Sequence, residues 1–164
     1  MAINKSITST FLSLGTGVEP KVAQLLIPIL ADTIFIHSLY KKYHWNLEGD
    51  DFFQYHLLFD KHANEQFPLI DLIAERIRTL GVAVPAMPAD VVAHKTLKDP
   101  SDAGTDDEDM IENLCKVHEI FIKNLRQAID KTEKLKDAGT NDMLVSQVLR
   151  LNELQLWFVR SSLD

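Results

Sequence analysis

Apolar residues recur along this chain at helical spacing, in blocks divided by turn-forming residues. From Pro20 to Leu47 the stripe is Val22, Leu25, Leu26, Ile29, Ile36 and Tyr40, the pattern that keeps apolar side chains on one face of a helix. Glu48-Gly49-Asp50 interrupts it. Asp51, followed by Gln54, resembles a capping box for a second helix. That helix runs to Leu80, with Gly81 placed as its C′ residue. Residues 1–18 are mixed and rich in Ser, Thr and Gly, so they read as a partly flexible tail that docks only in part. Residues 19–164 then form the folded domain.

Residues 82–104 hold Pro85, Pro88, Pro100 and Gly104, a connection long enough to contain structure of its own or to cross the domain. Pro88 is placed to open a short helix through about Leu97. Thr105 with Glu108 reads as another capping box. Met110, Leu114, Val117, Phe121, Leu125 and Ala128 continue a helical stripe to about Lys136. Gly139-Thr140 marks a stop and a start, and a last helix spans Asn141 to about Ser162. Strand patterns are nearly absent. The fold class is therefore all-α: a ferritin-like four-helix bundle with a short extra helix in the long connection between helices two and three. Pro28 and Pro68 fall inside the first two helices, where each removes a hydrogen bond. The periodicity persists through both, which predicts continuous helices with kinks there.

Composition narrows the function. The 164 residues fit one domain. A formal net charge of -7 argues against a nucleic-acid binder held by phosphate contacts and suits attraction of cations. Cys115 is the single cysteine, so an intrachain disulfide and cysteine-based metal sites are excluded. It reads as a buried small hydrophobe. No leader pattern and no apolar run near the length of a membrane span stand out, so a cytoplasmic location with no membrane association is the expectation.

Metal-type ligands concentrate on the second helix. His56 with Asp60 and Asp71 with Glu75 are each spaced i,i+4, about 5–6 Å apart at Cβ. From Asp60 to Asp71 is close to three full turns, so all four share a stripe. His56 and Glu75 nevertheless lie about 28 Å apart along the axis, too far for one ion. If the helix packs antiparallel against its two-fold copy, the first pair of one chain faces the second pair of the other. His44, near the end of the first helix, joins His56 across the hairpin turn. Two imidazoles and three carboxylates suit a borderline metal such as Fe(II). The Glu-x-x-His motif of an intrasubunit di-iron bundle is missing. Each pair taken alone is ordinary helix-surface chemistry, and Asp71 and Glu75 beside Arg76 and Arg78 could form an ion-pair network instead.

The composite motif Tyr43-His44-Trp45-Asn46, His56-x-x-x-Asp60, and Asp71-x-x-Ala74-Glu75-Arg76-Ile77-Arg78-x-Leu80-Gly81 strongly resembles the Dps family of miniferritins. The likeness extends over nearly the whole chain, including Leu156-Trp157-Phe158. It implies a hollow dodecamer built from two-fold dimers, with ferroxidase sites at the two-fold interfaces. His44, His56 and Asp60 would come from one subunit, and Asp71 and Glu75 from its mate. The implied function is iron storage and detoxification: oxidation of Fe(II), preferably by hydrogen peroxide, with oxygen the alternative oxidant, and storage of ferric mineral in the cage, with protection against oxidative stress. Zinc is a possible competitor for the site.

The same resemblance gives Trp45 as the site's aromatic neighbour, either a radical sink or plain interface packing. It gives Asp137 and Asp142 as the acidic lining of an iron-uptake pore at a three-fold axis, or else ordinary residues at a helix start. A third acidic pore position is Ser146 here. The lysine-rich tail of family members that coat DNA is missing, Lys5 being the one basic residue before position 19, so DNA binding is expected to be weak or absent. His37 reads as a hydrogen-bonded core or site-supporting residue, and His62, His94 and His118 as structural or exposed.

Overall fold

A computed structural model describes residues 12–104 and 106–163. The described residues are helical with no strands. Helix α1 spans Val18–Asn46, α2 Phe52–Thr79, α3 Pro88–His94 and α4 Asp107–Lys134. The last rod comprises α5 (Ala138–Met143), a π-helical turn (Leu144–Leu149) and α6 (Arg150–Arg160). Four long rods with a short helix in the crossing connection bear out the expected class. The predicted tail falls mostly outside the described residues; Leu12 and Leu14, at its end, pack against the core.

Helices α1 and α2 form an antiparallel hairpin across a short turn, and α1 also contacts α3 and α4. The predicted stripes of α1 and α4 meet the apolar face of α2 in one core. Val22, Leu26 and Ile29 of α1, Phe59, Ile73 and Ile77 of α2, and Met110, Leu114 and Phe121 of α4 are buried together. Each such side chain contributes about 1.5–3 kcal/mol on leaving water. That gain holds α1 and α2 unbroken through Pro28 and Pro68, although each proline costs about 3 kcal/mol. The crossing connection is pinned by the buried Asp32. Its Oδ1 accepts the main-chain N–H of Thr96 (2.7 Å) and Leu97 (3.1 Å), and its Oδ2 accepts the Thr96 hydroxyl. Burial pushes the Asp32 carboxyl above its ordinary range despite these bonds.

Several boundaries differ from the sequence reading. Helix α1 begins at Val18 rather than Pro20. Asp51 makes no backbone cap of α2; its carboxylate is taken by the Gln54 side chain. Gly81 closes α2 as expected: at φ 80° its N–H bonds Arg78 O (2.9 Å) while Val82 N–H reaches Ile77 O (3.3 Å), a Schellman motif. Helix α3 stops at His94, short of Leu97. Thr105 lies outside the described residues, and the cap of α4 is Asp106, whose Oδ1 accepts Asp109 N–H at 2.9 Å. The break after α4 falls at Lys136, left-handed at φ 58°, and Gly139-Thr140 sits inside the first turn of α5. The last helix ends at Arg160 rather than Ser162.

Helix α1 also departs from the expectation that no apolar run approaches a membrane span. An 18-residue window of mean hydropathy 1.7 is long and apolar enough to cross one, but 61% of it is buried inside the protein. The apolarity is that of a central core helix, covered from several sides.

Candidate metal centre

The end of α1 and the start of α2 are locked by a reciprocal pair. His44 Nδ1 lies 2.9 Å from His56 O, and His56 Nδ1 lies 3.0 Å from His44 O. The two rings stack with centroids 3.8 Å apart. A carbonyl can only accept, so each Nδ1 carries the proton and donates. In the neutral ring that leaves each Nε2 with its lone pair free, the tautomer a metal ligand needs. The short turn between the helices is what brings residues twelve apart in sequence into this contact.

Asp60, one helical turn beyond His56, has its Oδ1 4.0 Å from His44 Nε2. The carboxylate is held by Lys41, whose Nζ donates to Oδ1 at 2.7 Å, and by Asn64, whose amide donates to Oδ2 at 3.0 Å. The Lys41 hydrogen bond is the main cause holding Asp60 below the usual carboxylate range. Lys41 also lies 5.5 Å from the Trp45 ring centre. Lys41 was not singled out from the sequence; its i,i+4 spacing to Trp45 was the available signal.

Asp71 and Glu75 are exposed on α2. Among the described residues neither carboxylate has a hydrogen bond or an ion pair. The ion-pair alternative does not form: Arg76 binds Asp137, and Arg78 donates to Val82 O at 3.1 Å. Among the described residues, no group of three or more His, Cys, Asp and Glu side chains is placed to hold a metal within one chain. The stripe carrying Asp60, Asp71 and Glu75 also exposes large apolar residues. Phe53 is 72% exposed, Phe67 64%, and Trp45 on the neighbouring helix 70%.

The two predicted pore residues separate. Asp137 is 1% exposed. It caps α5, accepting Thr140 N–H at 3.0 Å, and binds the Arg76 guanidinium through both oxygens at 2.8 and 3.0 Å. Burial alone would raise its pKa, but the bonds from Thr140 and Arg76 outweigh it and hold the carboxyl low. Asp142 is exposed and lines a surface pocket with Glu133, Lys136, Ala138, Asn141 and Val145.

The remaining histidines sort by burial. His37 is half-buried against Phe67 (centroids 5.8 Å), with no side-chain hydrogen bond among the described residues. His94 ends α3. His62 and His118 are fully buried and flank Tyr40 inside the bundle. Desolvation lowers their pKa values to about 4 and about 3. This Tyr–His pairing was missed in the sequence, where only the helical phase of Tyr40 with His44 hinted at it. Cys115 is buried, as expected, and burial pushes its thiol up.

The chain is a four-helix bundle, and its residues 23–164 match the ferritin-like domain. The chain is similar over its whole length to DpsC from Streptomyces coelicolor, at 40% identity and a TM-score of 0.93, covering 96% of that chain. It resembles Dps from Mycobacterium smegmatis at 29% identity and a TM-score of 0.90, over 96% of this chain and 95% of that one. It is 32% identical over 147 residues to DNA protection during starvation protein 1 of Deinococcus radiodurans, covering 87% of this chain and 69% of that protein. The chain belongs to the Dps family of ferritin-like proteins. Membership supports iron storage and protection as its general role.

Proposed function

We propose that this protein oxidises Fe(II), preferably with hydrogen peroxide, at sites shared across a two-fold dimer, and stores the ferric product in a dodecameric cage. The reading is carried by one observation: His44 and His56 present free Nε2 atoms, while Asp71 and Glu75 stand exposed and unpaired on a face edged by exposed aromatic residues. The midpoint of His56 and Glu75 falls between Glu65 and Gln66, as do those of Asp60 and Asp71 and of Phe53 and Arg78. An antiparallel copy centred there brings both half-sites together twice and covers Phe53 and Phe67. Isologous pairing of this kind is the usual symmetry of a homodimer.

Iron is the substrate. His44 and His56 supply nitrogen ligands, and Asp71 and Glu75 of the mate supply carboxylates that also suit Fe(III). Asp60 is a weaker ligand for a second ion, since Lys41 must first release it. Two Fe(II) ions giving one electron each reduce one peroxide to water, and holding them at one site favours this over one-electron release of hydroxyl radical. Zinc, with the same taste for imidazole and carboxylate, competes. Asp142 and Glu133 form the acidic mouth through which iron enters, with Asp137 behind them as a structural cap. The net charge of -7 per chain disfavours DNA.

The test loads Fe(II) anaerobically, adds peroxide, and follows ferric absorbance and peroxide consumed. Fast oxidation near two Fe(II) per peroxide, lost in an Asp71→Asn, Glu75→Gln double variant, is the expected result. Equal rates in wild type and variant would remove the shared site as the reaction centre.

A further inference from the structure

We propose that Tyr40 is a redox-active residue that donates an electron to the iron site while His118 takes its phenolic proton. The proposal rests on the iron-oxidation reading and adds a residue to it. Tyr40 and His118 are both wholly excluded from solvent. The Tyr40 hydroxyl lies 2.7 Å from His118 Nε2 and 3.1 Å from His62 Nδ1. The hydroxyl has one proton, so it donates to one ring and accepts from the other. The shorter contact assigns donation to His118, with His62 Nδ1–H donating to the phenolic oxygen and fixing its direction.

The Tyr40 cluster leaves His62 Nε2 and His118 Nδ1 buried without a partner among the described residues. Apolar rings of the same size would fill this space at lower cost. Two imidazoles on one phenol provide what an apolar core cannot, a base in contact with the O–H. Burial keeps His118 neutral through the physiological range, so Nε2 is open to a proton.

Position links the cluster to the iron. Tyr40 precedes His44 by one turn on the same stripe, about 6 Å along the axis. Its ring lies 6.2 Å from Phe59, which lies 6.0 Å from Tyr55, the neighbour of His56. When a site holds a single Fe(II), its reaction with peroxide gives Fe(III), hydroxide and hydroxyl radical. An electron from Tyr40 reduces that radical to hydroxide, the phenolic proton moves to His118 Nε2, and a neutral tyrosyl radical remains. A second Fe(II) arriving at the site returns the electron and becomes Fe(III), and the proton moves back from His118. The sum is two Fe(II) per peroxide with no free radical released.

The experiment is freeze-quench electron paramagnetic resonance on protein holding one Fe(II) per site and mixed with peroxide, with ferric absorbance read on the same samples. A tyrosyl signal present in wild type and in Trp45→Phe, and lost in Tyr40→Phe, is expected. His118→Gln, which keeps a hydrogen bond but has no basic nitrogen, loses the signal too; a merely structural His118 would leave it intact. Ferric product forming with a tyrosyl signal unchanged in Tyr40→Phe would overturn the proposal and leave the ferroxidase reading standing. If no ferric product forms, the ferroxidase reading fails by itself. Flash oxidation of the iron-free protein by a ruthenium(III) polypyridyl complex then decides: a Tyr40-dependent radical upholds the donor pair, and its absence removes it. Thermal melts of each variant show that the fold is retained.

Discussion

His44 and His56 each hold the other's ring by a main-chain carbonyl: each Nδ1 faces the carbonyl oxygen of the other residue, at 2.9 and 3.0 Å. A substitution at one position therefore deletes one ring but leaves the carbonyl that holds the other. We predict that His56→Ala lowers affinity for Zn(II), used as a redox-silent probe, by at least about tenfold, with His44 still in place. Calorimetric titration of both single variants checks this, and wild-type affinity in either would remove that ring from the site.

The shared site can be tested by mixing subunits. One chain carries His44→Ala and His56→Ala, the other Asp71→Asn and Glu75→Gln, and each alone should be inactive. After unfolding together and refolding, half the dimers are mixed and each holds one intact site, so about a quarter of wild-type peroxide-driven oxidation returns. A site contained in one chain would recover nothing.

Lys41 and Asp60 form the contact that competes with a second metal, at 2.7 Å. Lys41→Met keeps most of the apolar stem and releases the carboxylate. We expect metal binding about two- to fivefold tighter, the modest change proper to a partly exposed pair. Weaker binding in this variant would mean that Lys41 supports the site rather than occupying it.

Asp137 is read here as a buried cap and ion-pair partner, and that role has a stability signature. Asp137→Ala leaves Arg76 without its carboxylate and Thr140 N–H uncapped, and should destabilise the protein by about 3–5 kcal/mol. Asp142→Ala, exposed, should change stability by less than about 0.5 kcal/mol while slowing iron uptake. Denaturant titration separates the two.

His118 makes stability fall with acid. Its pKa drops from 6.5 to about 3 in the folded protein because burial disfavours the charged ring. The unfolded chain therefore binds the extra proton between those values, and stability is full above pH 6.5 and declines as the pH falls toward 3. The limiting slope is about 1.4 kcal/mol per pH unit for this one group. Chemical denaturation at pH 7 and pH 5 should show a loss that is smaller in His118→Gln.

The sequence by itself determined the helices and the ligand stripe. Val22 to Tyr40 and Met110 to Ala128 repeat at a period set by backbone geometry, so they were legible without a structure. The i,i+4 pairs on α2 were legible for the same reason, as was the conclusion that they cannot meet in one chain. Gly81 was legible because a left-handed position favours a residue without Cβ. What only the tertiary structure decided were the contacts between helices, where sequence separation carries no phase information. Lys41 on Asp60, Arg76 on Asp137, and Tyr40 between His62 and His118 all join different rods. The start of the last helix falls at Ala138 rather than Asn141 because Lys136 takes the left-handed turn that Gly139 advertises more strongly. Local periodicity fixes which face of a helix is apolar; which polar groups meet inside depends on how four such faces pack, and that is a property of the whole fold.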